Sequence, residues 1–391
     1  MKKLMLTTAI ASVLTSAAIA QTSITGELRI SYKDVSANKG LAASSTGTKD
    51  TSYGFGAEQQ INIQNKGKLK IGGLDYAAGF AIENDGEQTG TLFNENVYID
   101  LTNARSGTTI SIGRDHIQRS DSDRSATNLV GFSPNELSQT GNSTNAGTRF
   151  AQNLGPAASQ NMGIALIQAI PNIGTFSANF VPNNANPSAG AITTTAQSVT
   201  TASYTGATVT GTGALVVNAS NVGTSSSESV NANTTAAYEI GFVGSLGVKG
   251  LEVAYFKSEN NDYANTWNNG AVKAEAQNYG AKYNFGSFTV GANKKKYNPE
   301  AATLIETKET AYAAAYAINP DLSVGLLYGK ATQDGGAGVV GRGVDQKIKA
   351  VNLGYNLGPV ALAAGYAKNE DTLGTAGADT DVFMIRLLGA F

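Results

Sequence analysis

The chain has 391 residues, with 28 Lys+Arg against 30 Asp+Glu, one His and no Cys. Charge this close to balance gives a nucleic-acid partner no electrostatic footing, and one histidine without cysteine leaves a zinc or other transition-metal site without ligands. Abundant Gly (45), 16 Tyr and 13 Phe beside only 8 Pro suit many short strands with aromatic ends.

Residues 1–20 read as a signal peptide. Lys2 and Lys3 form the charged start, Leu4 to Leu14 the apolar stretch, and Ala18-Ile19-Ala20 the small-residue cleavage site. The stretch falls short of the roughly 20 apolar residues that a spanning helix needs. The mature chain, 21–391, starts at Gln21 and holds 28 − 2 = 26 basic against 30 acidic residues, a net charge of −4. No later run is apolar and long enough for a membrane helix. An exported chain of this kind is either soluble or a membrane β-barrel.

The first mature segment alternates. Ile24, Gly26, Leu28, Ile30 and Tyr32 share one face; Thr25, Glu27, Arg29, Ser31 and Lys33 share the other. Period two means a strand. Sixteen such segments follow in order: 22–33, 51–64, 68–84, 92–103, 108–114, 161–170, 174–182, 235–244, 248–260, 273–285, 287–298, 309–319, 321–333, 346–357, 359–370 and 380–391. Most have the 9–11 residues or slightly more that a tilted membrane strand requires.

Connections alternate in length. Asn65-Lys66-Gly67, Asn103 to Gly107, Pro171-Asn172-Ile173, Ser245-Leu246-Gly247, Gly286, Pro320 and Gly358 mark tight turns. Between them lie the long connections, among them 34–50, 115–160 and 183–234. Short turns at one end and long loops at the other are the asymmetry of outer-membrane barrels, and an even strand number returns both termini to one side. The segment 161–170 is nearly continuously apolar, and 149–154 is an alternative strand that would spoil the even count. The stretch 183–234, rich in Ser, Thr, Ala, Asn and Gly, reads as a mobile loop with room for a short hairpin near Val209 or Leu215.

Aromatics gather near strand ends: Tyr53, Phe55, Phe80, Tyr98, Phe242, Tyr255, Tyr279, Tyr283, Phe285, Tyr297, Tyr312, Tyr316, Tyr328, Tyr355 and Tyr366. Such rings favour a membrane–water boundary. The last strand alternates to the end. Phe383, Ile385, Leu387, Gly389 and Phe391 share one face, and Val382, Met384, Arg386, Leu388 and Ala390 share the other. The expected fold is all-β: a transmembrane antiparallel barrel of about 16 strands.

The signal peptide, the opening strand Ser23-Ile24-Thr25-Gly26-Glu27-Leu28-Arg29, the sixteen segments and terminal Phe391 together resemble the general porin family of Gram-negative bacteria. The resemblance covers the whole mature chain. It implies a homotrimer in the outer membrane, with lipid and lipopolysaccharide around it. One water-filled pore per subunit would pass small hydrophilic solutes, without a cofactor and without catalysis. It implies a long third extracellular loop folded into the barrel, and the barrel-assembly machinery as a partner that reads Phe391.

The stretch from Asp115 to about Gln160 stands where that loop belongs. In the family, loop acids face wall bases and set up a transverse field. Asp115, Asp121, Asp123 and Glu136 are the acidic candidates. Strand parity turns Arg29, Lys68, Lys70, Lys282, Lys295 and Arg386 toward the lumen, since a charge facing lipid near mid-membrane costs about 2–4 kcal/mol. Parity gives the face and leaves the height open. Arg114, Arg119 and Arg124 interleave with the loop acids. The negative net charge and the loop acids point to a mild cation preference.

Other motifs carry less. Asp121-x-Asp123-x-Ser125 opens like a calcium loop, but Ala126 replaces the required Gly and Phe132 the bidentate Glu. Gly336-Ala337-Gly338-Val339-Val340-Gly341 matches a dinucleotide fingerprint, yet another strand follows where a helix must start. Lys294-Lys295-Lys296 lies at an upper strand end, within reach of lipopolysaccharide phosphates or merely solvated. His116 is the one histidine available to a barrel enzyme. That reading, and an exported soluble β-protein or adhesin, are the alternatives; membrane fractionation separates the last.

Overall fold

The computed structural model describes residues 20–37, 51–69, 73–86, 93–114, 116–117, 126–138, 150, 162–182, 236–260, 273–299, 305–335, 344–374 and 376–391. Sixteen strands run in chain order: β1 Ala20–Ala37, β2 Thr51–Lys68, β3 Asp75–Gly86, β4 Phe93–Asn103, β5 Thr108–Gly113, β6 Gly163–Ile170, β7 Gly174–Val181, β8 Ala237–Gly244, β9 Leu251–Asn260, β10 Ala274–Phe285, β11 Phe288–Pro299, β12 Ile305–Ala317, β13 Leu322–Gly335, β14 Gln346–Asn356, β15 Val360–Glu370 and β16 Thr380–Ala390. A short α-helix, α1, spans Pro134–Ser138. Each strand pairs antiparallel with its neighbour, and β16 pairs back onto β1. Closure leaves no sheet edge, the condition for crossing hydrocarbon with strands.

The seam is completed by the last residue. Gly26 N–H donates to the Phe391 carbonyl at 2.8 Å, and Phe391 N–H donates to the Gly26 carbonyl at 2.9 Å. A Cβ at Gly26 would clash with the Phe391 ring, so the glycine makes room for it.

The outer face is apolar and bare. Leu326 is 62% exposed, Val351 55%, and Ile99 and Ile240 53% each. A band this large is incompatible with water on that side. Inward positions on the same strands are small or polar, except where the third loop lies against them. There Phe132, Leu137 and Phe150 of the loop pack on Leu327, Ile348, Ala367 and Val382 of the wall. The molecule's main apolar core therefore sits inside the barrel, between loop and wall.

The structure keeps the sixteen strands and departs from the pattern at one turn and at two aromatics. β2 runs through Asn65-Lys66-Gly67 to Lys68, and β3 begins at Asp75. Both neighbours supply partners there: Asn65 Nδ2 donates to Thr22 Oγ1, and Tyr76 Oη donates to Asn65 Oδ1. Phe150, the one described residue of 149–154, is a bend packed inside the barrel, not a strand. Tyr98 and Tyr297 point inward, unlike the other boundary aromatics. Tyr98 bonds Gln64 and stacks on His116, and Tyr297 is 6% exposed. The apolar run at β6 also has its cause. Ile164 and Leu166 face out, while Ala165 and Ile167 pack inward on Ile117 of the loop, so both faces are apolar.

Candidate functional site

The third loop leaves β5 and crosses the interior. Its root is anchored by Ile117, whose carbonyl accepts from Asn179 Nδ2 of β7 at 3.0 Å. Beside it His116 Nε2 lies 3.0 Å from Asp100 Oδ2, and its ring stacks on Tyr98 at 3.7 Å. Farther along, Ala126 rests against β10 and β11 at Gly280 and Gly291, Val130 against Gly325 of β13, and Phe132 against Gly365 of β15. Wall asparagines hold the loop backbone. Asn352 Nδ2 donates to the Phe132 carbonyl at 3.5 Å, and Asn369 Nδ2 donates to the Leu137 carbonyl at 3.1 Å.

The glycines matter by what they lack. A Cβ at Gly291 would fall inside the van der Waals shell of the Ala126 carbonyl oxygen, a backbone atom that no rotamer change moves away. Overpacking of this kind costs about 1–3 kcal/mol, and lifting the loop relieves it. Gly291→Val is expected to raise single-channel conductance and its open-state noise while the barrel keeps its heat-resistant gel mobility. Unchanged conductance and noise would count against this seat.

α1 carries the acid that the loop offers to the wall. Ser133-Pro134-Asn135-Glu136 is a capping box: Ser133 N–H donates to Glu136 Oε2 at 2.8 Å, Glu136 N–H donates to Ser133 Oγ at 3.4 Å, and Pro134 takes the first helical position. The cap fixes the Glu136 side chain before the wall meets it. Its other oxygen, Oε1, lies 2.6 Å from Arg386 Nη2 of β16. Arg386 is itself held on three sides. Its Nε donates to Ser31 Oγ at 3.3 Å, its Nη1 donates to the Gly131 carbonyl at 3.5 Å, and its guanidinium lies 4.9 Å from the Phe132 ring centroid. Lys33 Nζ of β1 donates to the Glu136 carbonyl at 3.2 Å.

Of the residues singled out from sequence, the structure brings Glu136 and Arg386 into contact. Arg29 lies on the same wall but pairs with Glu27 and Glu58, each at 2.9 Å. Lys282, six strands away on β10, pairs with Glu252 at 2.8 Å. Lys295 faces inward from β11, 7% exposed, 3.9 Å from Glu309. Lys68 is exposed at the turn end of β2. Asp115, Asp121, Asp123 and Lys70 lie outside the described residues, as do the glycine run 336–341 and the 183–234 loop. Sequence reasoning passed over Lys33, although parity had put it on the polar face with Arg29. It also passed over the capping box, which a Ser-Pro-x-Glu spacing announces. The wall asparagines leave no such local signal, because their partners lie up to 232 residues away.

The arrangement fixes a loop carboxylate directly against a cation of β16, beside a lysine of β1, on the inner face of the barrel. Among the described residues, no cluster of three or more His, Asp or Glu could hold a metal.

Comparison with known proteins agrees with this geometry. The family model described as Gram-negative porin matches residues 7–374. No curated protein sequence matches the chain. Solved structures do. The anion-selective porin from Comamonas acidovorans superposes with a TM-score of 0.58 at 15% identity, covering 95% of this chain and 100% of that one. OmpT of Vibrio cholerae gives 0.57 at 12%, covering 97% and 99%. The outer membrane channel DcaP of Acinetobacter baumannii gives 0.56 at 10%, covering 96% and 99%.

Proposed function

The chain belongs to the Gram-negative porin family and is an outer-membrane channel for passive diffusion of small hydrophilic solutes, and from that premise we propose which of its charges act on the solutes. The acidic side is Glu136 on α1, continued along the loop by Asp115, Asp121 and Asp123. The basic side is Arg386 and Arg29 with Lys33 added. Lys68, Lys282 and Lys295 charge the wall away from the gap. The reading rests on the contact between Glu136 and Arg386, which ties a loop acid to a wall base inside the barrel. Local charge outweighs net charge in a pore. At α1 the Arg386 guanidinium meets the Glu136 carboxylate, and the Lys33 ammonium meets the Glu136 backbone carbonyl.

Purified protein in planar bilayers is expected to give stepwise, ohmic conductance that passes small sugars and ions alike. Folded protein that inserts without conducting would overturn the reading. No catalytic role is assigned. His116 is occupied by Asp100 and Tyr98 at the loop root, an anchoring arrangement.

Assembly follows the same logic. Among the described residues, the outward positions of β1–β8 carry a single charge, Asp34, and are otherwise apolar or neutral. That face suits contact with further copies in a homotrimer. Phe391, paired with Gly26 at the seam, is the proposed signal to the assembly machinery, and residues 1–20 the cleaved signal peptide.

A further inference from the structure

The other half of the outer wall is charged in an unusual way. Above the aromatic ring formed by Tyr279, Tyr328 and Tyr366, outward positions of β11–β15 place lysine directly opposite lysine three times. The pairs are Lys296 and Lys308, Lys330 and Lys347, and Lys349 and Lys368. Like charges opposed across two strands are destabilising. Carboxylates offset the cost only in part. Glu306 serves both members of the first pair, Asp345 serves Lys330, and Glu370 serves Lys349 at 2.5 Å. Lys368 stands opposite Asp381 without an ion pair, and Tyr366 bonds that carboxylate instead.

Below the Lys349–Lys368 pair an open groove of about 530 Å³ runs down the lipid-facing wall. Ala314 leaves it deep, Leu326 and Val351 line it, and Tyr328 and Tyr366 flank its upper part. Cations thus crown an apolar slot at the depth where headgroups meet acyl chains.

We propose that this groove is a binding site for a phosphorylated glycolipid of the outer leaflet, with a headgroup phosphate between Lys349 and Lys368 and an acyl chain against Leu326 and Val351. The proposal rests on the outer-membrane reading above. Charge complementarity selects the occupant, because an anion between two opposed cations turns a repulsion into two charge-assisted contacts. A second copy of this chain fits poorly, since it would strip water from Lys368 without supplying a partner charge. The β1–β8 face, with Asp34 its single outward charge among the described residues, is the better surface for that.

The test uses the full mature chain in detergent, with bound lipid counted by native mass spectrometry. The probe is bis-phosphorylated lipid A, compared with the same lipid after dephosphorylation, with phosphatidylethanolamine and with inorganic phosphate. Wild-type protein should hold lipid A about tenfold more tightly than the dephosphorylated lipid. K349Q/K368Q should lose that margin, and A314L, which fills the slot, should weaken lipid A without changing inorganic phosphate. Both variants should conduct as wild type does. Equal binding of lipid A by wild type and K349Q/K368Q would overturn the site, as would displacement of the lipid by equimolar phosphate or wild-type binding of phosphatidylethanolamine as tight as that of lipid A. Disulfide dimers formed by L326C in native membranes would also overturn it, assigning the groove to a second copy. Absence of conductance from lipid-loaded wild type would count against the channel reading alone, so the two failures are distinguishable.

Discussion

Replacing Leu326 by arginine lowers the stability of the barrel in a bilayer by about 2–4 kcal/mol, roughly a 30- to 1000-fold loss in the folding equilibrium. Leu326 is opposite Ala314 on one side and Val351 on the other. It lies between Tyr316 and Tyr355 toward the turn end and Tyr312, Tyr328 and Tyr366 toward the loop end, so its side chain meets hydrocarbon between the two sets of aromatic rings. The matched control is Asn62→Arg on the inner face of β2, where the new charge meets water and the change stays within about 0.5 kcal/mol. Urea titration of both variants in lipid vesicles measures the difference. In a water-soluble sandwich the ranking would invert, because Leu326 would then face solvent and Asn62 the centre.

Arg386→Glu shifts the permeability ratio toward cations by roughly five- to tenfold at low salt. The substitution changes the wall by two units of charge, each worth about 1 kcal/mol at 4 Å in water, less what mobile ions screen. It also leaves two carboxylates facing one another where Glu136 and Arg386 now meet at 2.6 Å. Reversal potentials across a salt gradient read the shift. The double exchange, Glu136→Arg with Arg386→Glu, restores the opposition and should bring the ratio most of the way back. At 1 M salt, where the screening length is about 3 Å, the effect should fade. A ratio unmoved by Arg386→Glu, or one that the double exchange fails to restore, would remove Arg386 from the conduction path or reduce it to a structural prop.

The two substitutions probe opposite sides of one wall, and the chain encodes those sides differently. Alternation in the opening strand puts Arg29 and Lys33 on one face and Leu28 and Tyr32 on the other, and the structure keeps that division. The same rule put Arg386 inside and Phe383 outside. Turn residues located most strand ends to within a few positions. The error at Asn65-Lys66-Gly67 arose because a turn-forming triplet can still pair when strands on both sides offer partners, as Thr22 and Tyr76 do.

Strand period, turn chemistry and the apolar share of each face are local properties, written within about ten residues. From these the sequence by itself determined an all-β chain of sixteen strands and, where polar and apolar residues alternate, the lumenal face; the loop folded into the bore was implied by resemblance to a family. Height within the barrel and partnership across it are not local. Glu136 meets Arg386 across 250 residues of intervening chain, and Asn369 reaches the Leu137 carbonyl across 232. Only the tertiary structure decided that Glu136 stands at the wall, that Lys33 joins it, that Lys282 and Lys295 belong to other pairs, and that three lysine pairs crown the outer wall. Ring closure and strand stagger bring such residues together, and no period in the sequence carries either quantity.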